Sequence, residues 1–139
     1  DNNSVTGLPT QLINFLGFIP KEFKEFSHTF DKSELKVKTG AGVELAFTNN
    51  DHMPMMHNLL IIEPGSRIDI VKKAATMGSA GMINSFVPES DKVIAATPLV
   101  LTGNTYKLYF EAPEKPGNYE YVCSYPGHGL SMWGTLKVE

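Results

Sequence analysis

The chain has 139 residues, 42% hydrophobic and 19% charged, with 12 Lys and Arg against 15 Asp and Glu. That length holds one domain with enough apolar material for a single core. The net charge of −3, with no basic run longer than Lys72-Lys73, excludes a general nucleic-acid binder and a polybasic membrane anchor. Apolar runs such as Leu59-Leu60-Ile61-Ile62 fall far short of the ~20 residues a spanning helix needs, so no membrane span is expected. The single cysteine, Cys123, excludes a disulfide framework within the chain. The sequence opens on Asp1 rather than Met, which reads as a processed mature form or an excised domain.

Residues 1–24 begin rich in Asn, Ser, Thr, Gly and Pro and then crowd Leu12, Ile13, Phe15, Leu16, Phe18 and Ile19 together. This composition predicts an N-terminal extension with a short helix before Pro20, clipped onto a domain over residues 25–139 by its hydrophobics. From Phe26 onward the period is two. Leu35 and Val37 alternate with lysines; Val43, Leu45 and Phe47 alternate with Glu44, Ala46 and Thr48. The same pattern returns in Tyr106, Leu108 and Phe110, in Tyr119, Tyr121 and Cys123, and in Leu136 and Val138. Such alternation predicts antiparallel strands with one wet face. Turn-forming stretches separate them: Thr39-Gly40-Ala41-Gly42, Asn49-Asn50-Asp51, Glu63-Pro64-Gly65, Leu101-Thr102-Gly103-Asn104 and Lys115-Pro116-Gly117-Asn118. Only Ile68, Val71, Ala74, Ala75 and Gly78 follow a helical spacing, after Ser66 as N-cap, so one helix is predicted between about Ser66 and Met82. The fold class is therefore all-β, a β-sandwich with one helical insertion.

The chemistry concentrates in Tyr121-Val122-Cys123-Ser124-Tyr125-Pro126-Gly127-His128-Gly129-Leu130-Ser131-Met132, where a thiol, an imidazole and a thioether are spaced Cys-x4-His-x3-Met. A strand ending at Cys123, a turn at Pro126-Gly127 and a returning strand after Met132 would gather the three around one point. Upstream, Met56-His57-Asn58 opens the apolar run at Leu59, and a sandwich can bring that strand end beside the Cys123 loop. A thiolate and two imidazoles with a long axial thioether select copper for electron transfer. Structural zinc sites pair cysteines, and calcium or magnesium wants oxygen donors. His28 and His52 are read as non-ligands.

With these residues in view, the chain resembles the cupredoxins, the blue type 1 copper proteins, and within them the azurins most closely, with the auracyanins as near relatives. The resemblance rests on the Cys-x4-His-x3-Met loop with Tyr125-Pro126-Gly127 before His128, on His57 followed by Asn58, on residues 91–97, and on Gly134-Thr135-Leu136. It runs from about Phe26 to Glu139. It implies a Greek-key sandwich and one type 1 copper ion cycling between Cu(I) and Cu(II). The implied ligands are His57, Cys123 and His128, with Met132 as the weak axial contact. It also implies that the backbone N–H groups of Asn58 and Tyr125 point at the Cys123 sulfur and that the Asn58 side chain ties the two loops together.

Three departures stand out. One cysteine cannot supply the azurin disulfide, Met56 stands where azurins have glycine ahead of the first histidine, and residues 1–24 have no azurin counterpart. The glycine position is where the azurin backbone carbonyl approaches copper, so Met56 favours four-coordination here.

The resemblance further implies a non-enzymatic electron shuttle that meets redox proteins, such as c-type cytochromes or a terminal oxidase or reductase, through an apolar surface around His128. Pro54, Met55, Pro126 and Leu130 are the candidate docking residues. The expected location is periplasmic or otherwise extracytoplasmic, with an export signal removed. Alternatives are a copper carrier or storage protein, drawing on Met53, Met55 and Met56, and an electron-transfer domain of a larger redox enzyme. A cysteine nucleophile would give Met132 no role. A multicopper enzyme domain would place a histidine beside the copper cysteine, where this chain has Val122 and Ser124.

Overall fold

The computed structural model describes residues 16–18 and 28–139. The rest of the N-terminal extension lies outside these residues. The short helix expected before Pro20 falls on that part; of the extension, Leu16–Phe18 form strand β1, antiparallel to β2 (His28–Phe30). Gly17 at its centre is a poor helix former, and pairing with β2 gives the backbone its hydrogen bonds without helix nucleation.

Seven further strands follow: β3 (Glu34–Val37), β4 (Gly42–Thr48), β5 (Leu60–Ile62), β6 (Val93–Ala96), β7 (Thr105–Glu111), β8 (Gly117–Val122) and β9 (Trp133–Val138). They form a five-stranded sheet in the order β3-β9-β8-β5-β6 and a separate β4-β7 pair. The first and last strands of the large sheet, β3 and β9, run parallel with Leu35 opposite Leu136, whereas its other neighbours are antiparallel. The chain crosses from one layer to the other between β3 and β4, where Gly40 takes φ +71° and its N–H reaches Ala112 O at 3.2 Å. Glycine adopts that left-handed conformation without a Cβ clash.

The period-two pattern builds the core. Val43, Leu45 and Phe47 of β4 face Tyr119 and Tyr121 of β8 and Leu136 and Val138 of β9 in one buried cluster. Each large side chain so buried contributes roughly 1.5–3 kcal/mol. The Tyr121 phenol finds a partner by donating to Lys32 O at 2.6 Å, and its ring packs edge-on against Phe30 at 5.3 Å. That contact fixes the chain just after β2 to the large sheet.

The expectation of one wet face fails on the large sheet. Leu60, Ile62 and Val122 point away from the main core and are buried beneath Ile70 of helix α1 (Arg67–Ala75). The predicted single helix is two. Gly78, at φ +63°, ends the first run before α2 (Ala80–Ile83). The buried face of α1 is Ile70 and Ala74, while its Ile68 and Ala75 are exposed. Ser66 is the residue ahead of α1, but its hydroxyl donates to Glu63 O rather than capping the helix.

Candidate metal centre

Each element delivers one part of the site by a local device. β8 ends at Val122, so Cys123 is the first residue beyond the ladder, and it closes the loop base by donating its N–H to Met132 O at 3.0 Å. Between them Gly127 takes φ +90°, and His128 N–H reaches Tyr125 O at 2.9 Å, a tight turn that folds His128 back. Met132 N–H then bonds to His128 O at 2.9 Å, one helical turn that sets His128 and Met132 on the same side. His57 sits ahead of β5 and exchanges two backbone hydrogen bonds with Val100, at 3.3 and 2.7 Å.

These devices converge. Cys123 Sγ lies 3.8 Å from His57 Nδ1 and 3.8 Å from His128 Nδ1, and the three candidate donor atoms all lie within 4.8 Å of one another. The His57 and His128 rings are 4.8 Å apart between centroids. A metal bonded to nitrogen at about 2.0–2.1 Å and to sulfur at about 2.3 Å, with an angle of about 120° between them, requires a separation of about 3.8 Å. The donor set therefore fits one ion in a trigonal arrangement. Met132 is wholly buried in the same cluster as Cys123.

The surroundings favour a held thiolate only when a cation is present. Burial pushes the Cys123 thiol from its usual 9.0 up to about 12, against the backbone N–H groups of Asn58 and Tyr125, which donate to the sulfur and favour its charged form. The Asn58 side chain spans the two loops. Its Oδ1 accepts from Ser124 N–H at 2.8 Å, and its Nδ2 donates to Ser124 Oγ at 2.9 Å and Ser85 O at 2.8 Å. The Tyr125 ring lies 4.9 Å from His128 and packs edge-on against Phe86 at 5.3 Å.

The remaining residues singled out in the sequence fall nearer the surface. Pro54 is exposed, Met55, Met56 and Pro126 are half-buried, and Leu130 is 68% exposed, whereas His128 is only 7% exposed. His52 is exposed.

Three further residues shape the site beyond those singled out in the sequence. Asp51 Oδ2 is 2.8 Å from His57 Nε2, with both side chains wholly buried. Asn49 Nδ2 donates to Met55 O and Val100 O, both at 2.8 Å, which shapes the loop ahead of His57. Arg67 of α1 donates to Gly129 O at 2.8 Å and lies 4.3 Å from the Trp133 ring centroid, bracing the ligand loop from the insertion. Asn49 and Asp51 read only as turn formers in the sequence; an acidic residue six positions before a candidate ligand histidine was the available signal.

Comparison with known proteins agrees with this geometry. A family model described as copper binding proteins, plastocyanin/azurin family, matches residues 21–139. Azurin iso-2 of Methylomonas sp. strain J is 40% identical over 99 residues, 67% of this chain and 74% of that protein. Auracyanin-A of Chloroflexus aurantiacus is 34% identical over 111 residues, 79% of this chain and 67% of that protein. Among solved structures, auracyanin A, a blue copper protein of the same bacterium, superposes with a TM-score of 0.73 at 30% identity, over 90% of this chain and 96% of that one. Dithionite-reduced auracyanin from Roseiflexus castenholzii gives 0.72 at 30% identity, over 80% and 87%. With its sandwich, its buried His57-Cys123-His128 cluster and a family match over most of its length, the chain belongs to the plastocyanin/azurin family of copper-binding proteins.

Proposed function

We propose that this chain carries single electrons between redox proteins through one type 1 copper ion held by Cys123, His57 and His128, with Met132 as a weak axial donor. The observation that carries this reading is the pair of 3.8 Å separations from Cys123 Sγ to the two Nδ1 atoms, among side chains packed out of water. When bound, copper supplies a one-electron Cu(II)/Cu(I) couple.

The chain's own residues account for the rest. The Met132–Cys123 backbone bond and the His128 turn hold the donors on packed elements, so the site resists rearrangement when an electron arrives or leaves. The N–H groups of Asn58 and Tyr125 disperse charge on the sulfur, and the Asn58–Ser124 link keeps both loops in register. A wholly buried thiol held protonated to about pH 12 is a poor nucleophile, which favours a carrier over a cysteine-dependent enzyme.

Electron exchange would use the edge of His128, with Pro54, Met55, Pro126 and Leu130 as the docking surface. Partners would be redox proteins such as c-type cytochromes or a terminal oxidase or reductase, in an extracytoplasmic compartment. Among the described residues no helix is long and apolar enough to cross a membrane.

Copper(II) titration of the metal-free protein, followed by visible absorption and voltammetry, tests the reading. An intense thiolate-to-copper band, absent in Cys123→Ser, and a reversible one-electron wave are expected. A colourless adduct, or a band retained in Cys123→Ser, would overturn it. Ready loss of Cu(I) to a weak chelator would instead indicate a copper carrier.

A further inference from the structure

Asp51 stands behind one of the proposed ligands rather than among them. Its Oδ2 lies 2.8 Å from His57 Nε2, the ring nitrogen opposite the Nδ1 that faces Cys123. Its Oδ1 accepts the Met53 N–H at 3.0 Å. Its own N–H donates to Asn49 Oδ1 at 2.9 Å, and Asn49 is anchored in turn to Met55 O and Val100 O. The residue is 1% exposed and His57 is wholly buried.

With Nδ1 turned to the metal position, a proton carried on His57 Nε2 would be donated to Asp51 Oδ2. Each carboxyl oxygen of Asp51 thus has a nitrogen partner, Met53 N for Oδ1 and His57 Nε2 for Oδ2. The carboxyl group thus sits one imidazole ring away from the donor cluster, in a low-dielectric interior where charges act over longer range than in water.

Resting on the copper reading above, we infer that Asp51 is a positioning and potential-setting residue: its buried carboxylate orients His57 and lowers the reduction potential of the centre. Two effects act in the same direction. Accepting the Nε2 proton makes the imidazole a stronger donor and fixes its tautomer. A carboxylate charge there also stabilises the oxidised ion, with its one additional positive charge, more than the reduced one, so it favours the oxidised form.

The test compares copper-loaded wild type with Asp51→Asn, which keeps the shape and an acceptor oxygen but removes the charge. Asp51→Ser, a smaller neutral residue with an acceptor hydroxyl, serves if the Asn variant does not fold. The intense visible band should persist, while the preference for Cu(II) over Cu(I) should fall at least about tenfold, a rise of about 59 mV for a one-electron couple. Competition with a Cu(I) chelator should show the matching gain in relative Cu(I) affinity. A potential unchanged within about threefold in affinity ratio, a fall, or a rise that comes with loss of the visible band would overturn the inference and leave Asp51 a loop anchor only. A wild-type protein that forms no such band overturns the copper reading itself, so the two failures are distinguishable.

Discussion

Asn58 and Ser124 grip each other twice: Ser124 N–H donates to Asn58 Oδ1 at 2.8 Å while Asn58 Nδ2 donates to Ser124 Oγ at 2.9 Å. One residue follows His57 and the other follows Cys123, so this link joins two segments 66 positions apart at the place where their donors must meet. The Ser124 hydroxyl passes the link on, donating to Phe86 O at 2.6 Å in the segment after α2.

Asn58→Ala should therefore leave a buried Ser124 N–H and the Ser85 carbonyl without their partner. Each unsatisfied buried group costs about 1–3 kcal/mol, and the two together should lower the unfolding free energy of the metal-free protein by roughly 2–6 kcal/mol. Urea unfolding followed by Trp133 fluorescence measures it. Wild-type stability in the variant would show that the two loops are held by packing alone.

The raised Cys123 thiol gives a pH signature to the metal-free protein. Its folded pKa, about 12, lies above the usual 9.0 that applies once the chain unfolds. As pH climbs past the lower value the unfolded chain sheds the proton while the folded one keeps it, so the unfolded state binds fewer protons and stability falls. The stabilising contribution is complete below pH 9.0 and is lost as pH rises toward about 12, with a slope of up to about 1.4 kcal/mol per pH unit. Other groups also titrate there, so the measurement is the difference between wild type and Cys123→Ala. Parallel stability curves for the two proteins across that range would refute it.

Met132→Leu should keep copper and colour and raise the potential, because removing a weak donor disfavours the oxidised ion more than the reduced one. The two side chains are close in volume, so the core around this wholly buried position should lose under about 1.5 kcal/mol. Loss of copper binding, or a lower potential, would make Met132 a principal ligand and the proposed geometry wrong.

Leu130→Lys should slow electron exchange with a redox partner, or self-exchange, by about tenfold if the apolar contact it removes is worth about 1.4 kcal/mol in the encounter complex. Leu130 is 68% exposed, so the fold and the visible spectrum should be unaffected. With a net charge of −3 and no clustered basic residues, the encounter should depend weakly on salt. Stopped-flow rates across ionic strength decide the matter: an unchanged rate moves the exit elsewhere, and a steep salt dependence puts charge steering in control.

Much of this was legible in the order of the residues. Alternation in Val43, Leu45 and Phe47 and in Tyr119, Tyr121 and Cys123 gave away strands and their inward faces, because a strand's side chains switch sides at every residue. The Cys-x4-His-x3-Met spacing placed Cys123, His128 and Met132 around one turn, since Gly127 and the single helical turn after it are local events. What exceeded local reading was anything covered or joined from afar. The outward face of β5 and β8 is apolar because α1 lies on it, and the predicted helix splits because Gly78 takes a left-handed conformation.

The sequence by itself thus determined the strand pattern and the loop that carries Cys123, His128 and Met132, all consequences of periodicity and short-range turn chemistry. Only the tertiary structure decided that His57 meets Cys123, that Asn58 closes on Ser124, that Arg67 braces Gly129, and that Asp51 stands behind His57. Arg67 and Gly129 are 62 positions apart, and Asp51 reaches His57 only because an Asn49-anchored loop curls back beside Val100. Such contacts depend on how the layers stack and how loops fold back over them, and a one-dimensional pattern carries no record of which side chains that stacking brings within hydrogen-bond reach.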